Sequence, residues 1–420
     1  MSASAVSRRR IVPSKRKVPR RRIALALAGG GPLGGIYEVG VLIALAESLE
    51  GVDLNKLDVY VGVSSGGFVA AALANAVSPT QMYRVFIDGG ADAPLSPAVF
   101  LRPAFGEFAR RTGSVPRLLA AATLDYLRDP RRRSFLESFA AMGRAIPTGL
   151  FDQRAVDAFL ARLFSTAGRV DDFRKLRPKL FVVATNLDTG ASVTFGRPGL
   201  DHVPISKAIE ASTALPGLFP PVEIDGEHYV DGALNKTLHA SVALEQEVDL
   251  LLCVNPLVPF DARNASRLNR LTVAKLNQGG LPLVLGQTFR ALVHSRMQAG
   301  MDRYERQYPD ADIVLFEPDR EDADMFFASI FSYAHRKRLC EAAYRNTRHS
   351  LLARCATLGP MLAGHGIRLD LGKLRDGTRS IDAALNDPRP LMIEKPAVRR
   401  AALDLSYTLD HLERWLATAE

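Results

Sequence analysis

The chain has 420 residues, 47% of them hydrophobic, which is enough for one large domain or two ordinary ones with a sizeable core. Its formal charge of +9 is carried by residues 1–22, which hold nine Lys/Arg and no acid; the other 45 basic residues match 45 acidic ones, so the body offers no global field to nucleic acid. Three cysteines outside any CxxC cluster argue against a disulfide framework or a zinc site, and no uninterrupted apolar run reaches the roughly 18 residues of a spanning helix.

The basic tail, residues 1–22, contains prolines and serines and lacks the apolar stretch of a secretory signal, so it reads as disordered and secretion is not supported. It suits electrostatic attachment to an anionic membrane or to nucleic acid, or else it is a solvated extension. Cys253, Cys340 and Cys355 read as reduced core thiols. The expected location is the cytoplasm, with the tail able to visit the inner membrane surface.

Residues 23–28, IALALA, suit a first buried strand, and Gly29-Gly30-Gly31-Pro32-Leu33-Gly34-Gly35 follows as a loop too glycine-rich for helix or strand. From Ile36 to Leu49 the apolar positions recur at three and four, the pattern of an amphipathic helix. Residues 57–63 form a short β-branched run, and residues 67–76 an alanine-rich helix. Between them Gly62-Val63-Ser64-Ser65-Gly66 fits the G-x-S-x-G turn that exposes a serine at a strand end, with Gly62 and Gly66 where side chains would collide. An ordinary Gly/Ser-rich turn is the plain alternative.

This strand–glycine loop–helix–strand unit places the glycines and Ser64 at the same carboxyl edge of a parallel sheet. The glycine stretch then has two chemical readings. As G-x-G-x-x-G (Gly29, Gly31, Gly34), with Glu50 or Asp53 as ribose-binding acid, it would suit an NAD(P)-binding oxidoreductase. As successive unobstructed amides from Gly29, Gly30, Gly31 and Gly34 it would form an oxyanion hole, which a nearby nucleophilic serine needs.

Residues 87–146 carry scattered prolines among short amphipathic runs and read as a helical insertion able to act as a lid, with the RDPRRR cluster at 128–133 on its surface. Helical spacing returns over residues 149–164. Strands are expected at 179–186 and 192–195, a helix at 204–212, a hairpin turning at Asp225-Gly226, and a buried strand at 248–254. A serine needs a base. His202, His228 and His239 lie downstream, but none sits in a glycine-flanked turn after a strand, whereas Asp231 does, with Gly232 letting the backbone turn away.

Taken in order, GGGPLG (29–34), GVSSG (62–66) and DGA (231–233), joined by ATNLDTG (184–190) and ASTALPGLFPPVEIDGEHYVDGAL (211–234), resemble the patatin-like phospholipases. The resemblance implies a three-layer α/β/α fold and a lipid acyl hydrolase acting on lipid or lysolipid esters without cofactor or metal. Ser64 would be the nucleophile, Asp231 the base, and the amides around Gly30 and Gly31 the oxyanion hole. Family members commonly carry Arg or Lys where this chain has Leu33, which removes a cation from that loop and keeps a non-catalytic lipid-binding protein as the alternative. The expected organisation is a tail (1–22), a catalytic domain (23–256) with its insertion (87–146), and a mostly helical extension (257–420) packed on the core. Within that extension a strand is expected near 313–316 and helices at 331–352 and 397–417.

Overall fold

The first strand–helix–strand unit forms with one shift from its apolar pattern. In the computed structural model, which describes residues 21–88, 117, 120, 123, 148–152, 154–261, 280–321 and 333–386, β1 (Ile23–Leu27) leads into α1 (Gly31–Ser48), β2 (Leu49–Glu50), β3 (Val59–Val63) and α2 (Ser65–Ala74). α1 begins inside the glycine stretch, ahead of the helix expected from Ile36. Pro32 lies in its first turn, where a missing N–H costs nothing. Gly34 removes a side chain that would press on its neighbours: a Cβ there would lie 3.0 Å from Pro256 and 3.3 Å from the Ser65 hydroxyl.

The elements that follow and build the main sheet and its cover include α3 (Arg154–Phe164), β4 (Lys179–Asn186), β5 (Ser192–Phe195), α4 (Ile205–Ser212), β6 (Val222–Ile224), β7 (Glu227–Asp231), α5 (Ala240–Leu244), β8 (Leu250–Val254), α6 (Gly280–Gln307), β9 (Asp312–Phe316) and α7 (Tyr333–Ala353). The main sheet runs β6-β7-β4-β3-β1-β8-β9, with β5 also on β4. From β4 to β9 neighbours are parallel, while β5, β6 and β7 are antiparallel additions. The β6–β7 turn falls at Asp225-Gly226, both with positive φ (53° and 82°), the geometry that tight hairpins favour.

Side chains alternate across each strand. Ala24, Ala26, Val59, Val61, Phe181, Val183, Leu251 and Cys253 face a core shared with α5 and with Met297 and Tyr304 of α6. The opposite face, including Leu25, Tyr60 and Val182, is equally buried and lies under α2, against which α1 packs. Helices therefore cover both faces of a mainly parallel sheet, the expected three-layer architecture.

α1 departs from the amphipathic expectation because it is buried nearly all round. The C-terminal third supplies the outer cover: α7 crosses α1 so closely that a Cβ at Gly40 would overlap the Cys340 carbonyl, and Tyr344 donates a hydrogen bond to Glu47. Glu38 of α1 is fully buried with no hydrogen-bond partner for either oxygen among the described residues, and desolvation holds its carboxyl well above the usual range. β9 extends the sheet beside β8 in register Leu252↔Val314.

The described residues up to Ile381 form one compact unit, and residues 382–386 belong to a second. The tail at 1–20, nearly all of the 87–146 insertion and the helix expected at 397–417 lie outside the described residues. The cysteines are free, with Cys253 and Cys340 buried and Cys355 only half-buried. No helix among the described residues is long and apolar enough to cross a membrane.

Candidate active site

One strand brings Ser64 and Asp231 together. β4 pairs in parallel with β3 as far as Val183↔Val63, and its next residue, Ala184, pairs with Asp231 of antiparallel β7. Because β5 occupies the other edge of β4 over the same residues, β7 must take over the edge that β3 leaves at its end. The last residue of β7 thus arrives beside the turn that follows β3. The Ser64 hydroxyl donates to Asp231 Oδ2 at 2.7 Å across 167 residues of sequence.

Ser64 has φ 53° and ψ −124°, a backbone state unusual for a residue with a side chain. The surrounding packing enforces it. A Cβ at Gly62 would overlap the Gly66 carbonyl, and one at Gly66 would lie 2.5 Å from the Leu27 carbonyl and 2.6 Å from that of Ala28. Both glycines are required by close backbone approach, as the G-x-S-x-G pattern expects. Ser212, at the end of α4, holds the turn from the other side: its Oγ accepts the Ser64 amide at 2.8 Å and donates to the Val183 carbonyl at 2.6 Å.

Asp231 is 4% exposed and Ser64 5%. The second carboxylate oxygen, Oδ1, accepts the Ala233 amide at 2.8 Å in the short helical turn that Gly232 opens. Gly232 is needed there because a side chain would overlap the Val183 carbonyl. Burial pushes the Asp231 carboxyl up to about 6, with the Ala233 amide and the Ser64 hydroxyl opposing the rise. The group is therefore ionised at neutral pH yet more basic than an ordinary aspartate.

The four glycines of the first stretch divide into two pairs. Gly29 donates its amide to the Thr237 carbonyl at 3.2 Å, and Gly34 donates to the Gly30 carbonyl at 3.0 Å. Close packing also requires glycine at three of these positions: an added Cβ would lie 3.1 Å from that of Ser64 at Gly29, 2.6 Å from Pro256 at Gly30 and 3.0 Å from Pro256 at Gly34. Gly30 and Gly31 form the start of α1, which has no side-chain cap, and Gly31 takes φ +61° with open space where a side chain would project.

Ser64 and Asp231 open on a cavity of about 280 Å³. Its wall is mostly hydrocarbon, including Ile36, Phe68, Phe151, Phe159 and Phe219; Ser65, Thr213 and Arg336 add polar side chains to it. Along one rim, residues 148–151 run parallel to 217–218, with the Phe151 amide donating to the Leu218 carbonyl at 2.8 Å. That ribbon turns Phe151 to the cavity and leaves Leu150 and Leu218 exposed, 46% and 40%.

None of the three downstream histidines lines the cavity. His202 lies against Asp225 and His228 against Asp188, both exposed. His239 is buried beneath the Asp231 turn against the backbone of Gly232 and Lys236, with desolvation lowering its pKa to about 4. The dinucleotide reading also fails on geometry. Glu50 and Asp53 follow α1, whose 18 residues carry the chain roughly 27 Å from the glycines.

Residues 25–244, just over half of the chain, match the profile described as patatin-like phospholipase. The chain belongs to that family. Solved structures similar to this patatin-like chain include VipD from Legionella pneumophila, at 17% identity and TM-score 0.36 over 79% of this chain and 67% of that one. The type III effector ExoU aligns at 16% identity and TM-score 0.33 over 80% and 53%. Human GIVD cytosolic phospholipase A2, solved with a methyl gamma-linolenyl fluorophosphonate inhibitor, aligns at 14% identity and TM-score 0.34 over 81% and 59%. The patatin-like chain thus spans about half to two thirds of the length of these proteins.

Ser212 and Arg336 were not singled out in the sequence. Each lies among other polar residues in a helical stretch, Ser212 beside Thr213 and Arg336 within His335-Arg336-Lys337-Arg338, with no glycine to mark it. Ser212 does fall in the long 211–234 stretch that resembles the family, the one clue available.

Proposed function

We propose that this protein is a serine lipid acyl hydrolase of phospholipase A or lysophospholipase type, working through a Ser64–Asp231 dyad. The observation that carries the reading is the 2.7 Å hydrogen bond from the strained Ser64 hydroxyl to a buried carboxylate, at the wall of a largely hydrocarbon cavity.

The chemistry follows from the groups present. Asp231 Oδ2 takes the hydroxyl proton as Ser64 Oγ attacks the ester carbonyl carbon. A base poised near 6 is ionised at neutral pH and retains more affinity for that proton than an exposed aspartate would. The tetrahedral oxyanion is stabilised by the amides of Gly30 and Gly31, at the positive end of α1. Collapse breaks the ester bond, the departing alcohol takes the proton from Asp231, and the acyl group remains on Ser64. Water then attacks the acyl-serine while Asp231 accepts its proton, and fatty acid leaves as Ser64 is restored.

The apolar wall suits an acyl chain, and the exposed leucines of the rim suit contact with a lipid surface. Ser64→Ala and Asp231→Asn should each lower hydrolysis of a short-chain phospholipid by about 10⁴-fold with the fold retained. Near-normal turnover by Ser64→Ala contradicts the assignment.

A further inference from the structure

The oxyanion donors proposed at Gly30 and Gly31 sit where the chain has little of its own to fix it. α1 starts there without a side-chain cap, Gly31 takes φ +61°, and glycine has more backbone freedom than any other residue. Pro256, which follows β8, supplies an outside contact. A Cβ at Gly30 would lie 2.6 Å from its ring Cγ, and one at Gly34 would lie 3.0 Å from the same atom. The ring therefore packs beside both ends of the hydrogen bond from the Gly34 amide to the Gly30 carbonyl, the bond that closes the first turn of α1.

Pro256 is held in turn from the C-terminal third. Asn255 is fully buried, and its backbone N–H donates to the Phe316 carbonyl at 2.9 Å, extending the β8–β9 pairing by one residue. Its Oδ1 accepts the Leu257 amide at 3.2 Å, which bends the chain around Pro256, and its Nδ2 donates to Glu317 Oε1 at 2.7 Å. Further along, Gln287 of α6 accepts the Phe260 amide at 3.2 Å and donates to the Phe260 carbonyl at 2.9 Å.

We propose that Asn255 and Glu317 are positioning residues for the oxyanion donors: their hydrogen bond seats Pro256 against Gly30 and Gly34, so that the C-terminal extension completes the catalytic site. The inference rests on the acyl-hydrolase reading of Ser64, with Gly30 and Gly31 as donors, and adds what sets their geometry. A hydrogen bond from a buried amide to a carboxylate fixes direction as well as distance, which apolar packing at the same sheet edge does not. Oxyanion donors need that precision, because they act only when aimed at the oxygen that becomes charged.

The test uses the full-length protein and a soluble short-chain phospholipid, well below the melting midpoint of each variant. Asn255→Asp sets a second carboxylate against Glu317 and should lower kcat by at least about tenfold with KM within about twofold, because the donors act on the oxyanion rather than on the bound ester. Adding Glu317→Gln to Asn255→Asp restores a donor–acceptor pair of reversed direction and should return kcat to within about threefold of wild type. Pro256→Ala keeps the pair, removes the ring atom beside Gly30, and should lower kcat in the same way; it carries the test if Asn255→Asp does not fold. Wild-type kcat in Asn255→Asp or Pro256→Ala, a loss that falls on KM instead, or a double variant no better than Asn255→Asp overturns the positioning role. Fluorophosphonate labelling of Ser64 separates the two claims. Equal labelling rates in wild type and Asn255→Asp overturn the positioning role alone, and absence of labelling in wild type overturns the hydrolase reading together with it.

Discussion

Ser212 accepts the amide hydrogen of Ser64 at 2.8 Å and passes its own to the Val183 carbonyl at 2.6 Å, so one buried hydroxyl ties the nucleophile turn to the strand that aligns Asp231. Ser212→Ala leaves the Ser64 amide and its strained backbone without that brace. The expected cost is about 1–3 kcal/mol of stability, read as a lowered thermal midpoint. kcat should fall about tenfold through misalignment, with a smaller change in KM. Unchanged kcat and unchanged melting would show that the brace has no role.

The raised Asp231 carboxyl sets two pH dependences of opposite sense. In its proposed role as base it must be ionised, so kcat/KM should rise with pH up to about 6 and level off above it. For stability, a folded value near 6 against an ordinary 3.8 favours the protonated native state. That contribution is complete below the ordinary value and is lost as pH rises through about 6. Asp231→Asn should therefore be more stable than wild type at alkaline pH, by on the order of 3 kcal/mol, with the difference vanishing in acid. Denaturant titrations of both proteins across pH check this directly.

Gly66→Ala and Gly31→Ala should separate two reasons for glycine. At position 66 a methyl group meets the Leu27 carbonyl at 2.5 Å, so the variant should lose more than about 3 kcal/mol and all activity. At position 31 no atom lies within 4 Å, but φ is +61°, so the cost should be about 1–2 kcal/mol from backbone strain, with a larger effect on kcat than on folding. Equal denaturation midpoints for the two variants would contradict this distinction.

These contrasts also show what was legible in the sequence. Gly62, Gly66 and Gly232 mark places where the backbone approaches another chain segment too closely for any side chain, and such demands leave a fixed spacing that can be read. Most strand positions followed from apolar runs for the same reason. The start of α1 was misplaced because glycine has poor helix propensity, and only the packing of Gly34 against Pro256 and Ser65 explains its use in a helix. Nor could the all-round burial of α1 be read locally, since part of its cover comes from α7, some 300 residues later. Arg336 was hidden by the same distance.

The charge distribution predicts that the nine basic residues of the tail act on membrane residence rather than chemistry, because the remaining residues carry balanced charge. Deleting residues 1–22 should weaken binding to anionic vesicles and make it less salt-sensitive, while turnover of a soluble short-chain ester stays within about twofold. Vesicle sedimentation at low and high salt reads the first effect, and equal sedimentation of the two forms would assign the tail no membrane role.

The central claim is that Ser64 is a nucleophile activated by Asp231, and it is tested most directly by a fluorophosphonate probe followed by peptide mapping. The account predicts one modified residue, Ser64, in wild type, no modification in Ser64→Ala, and labelling slowed by at least about 100-fold in Asp231→Asn. Labelling of Ser64→Ala at the wild-type rate, or Asp231→Asn reacting as fast as wild type, would contradict it.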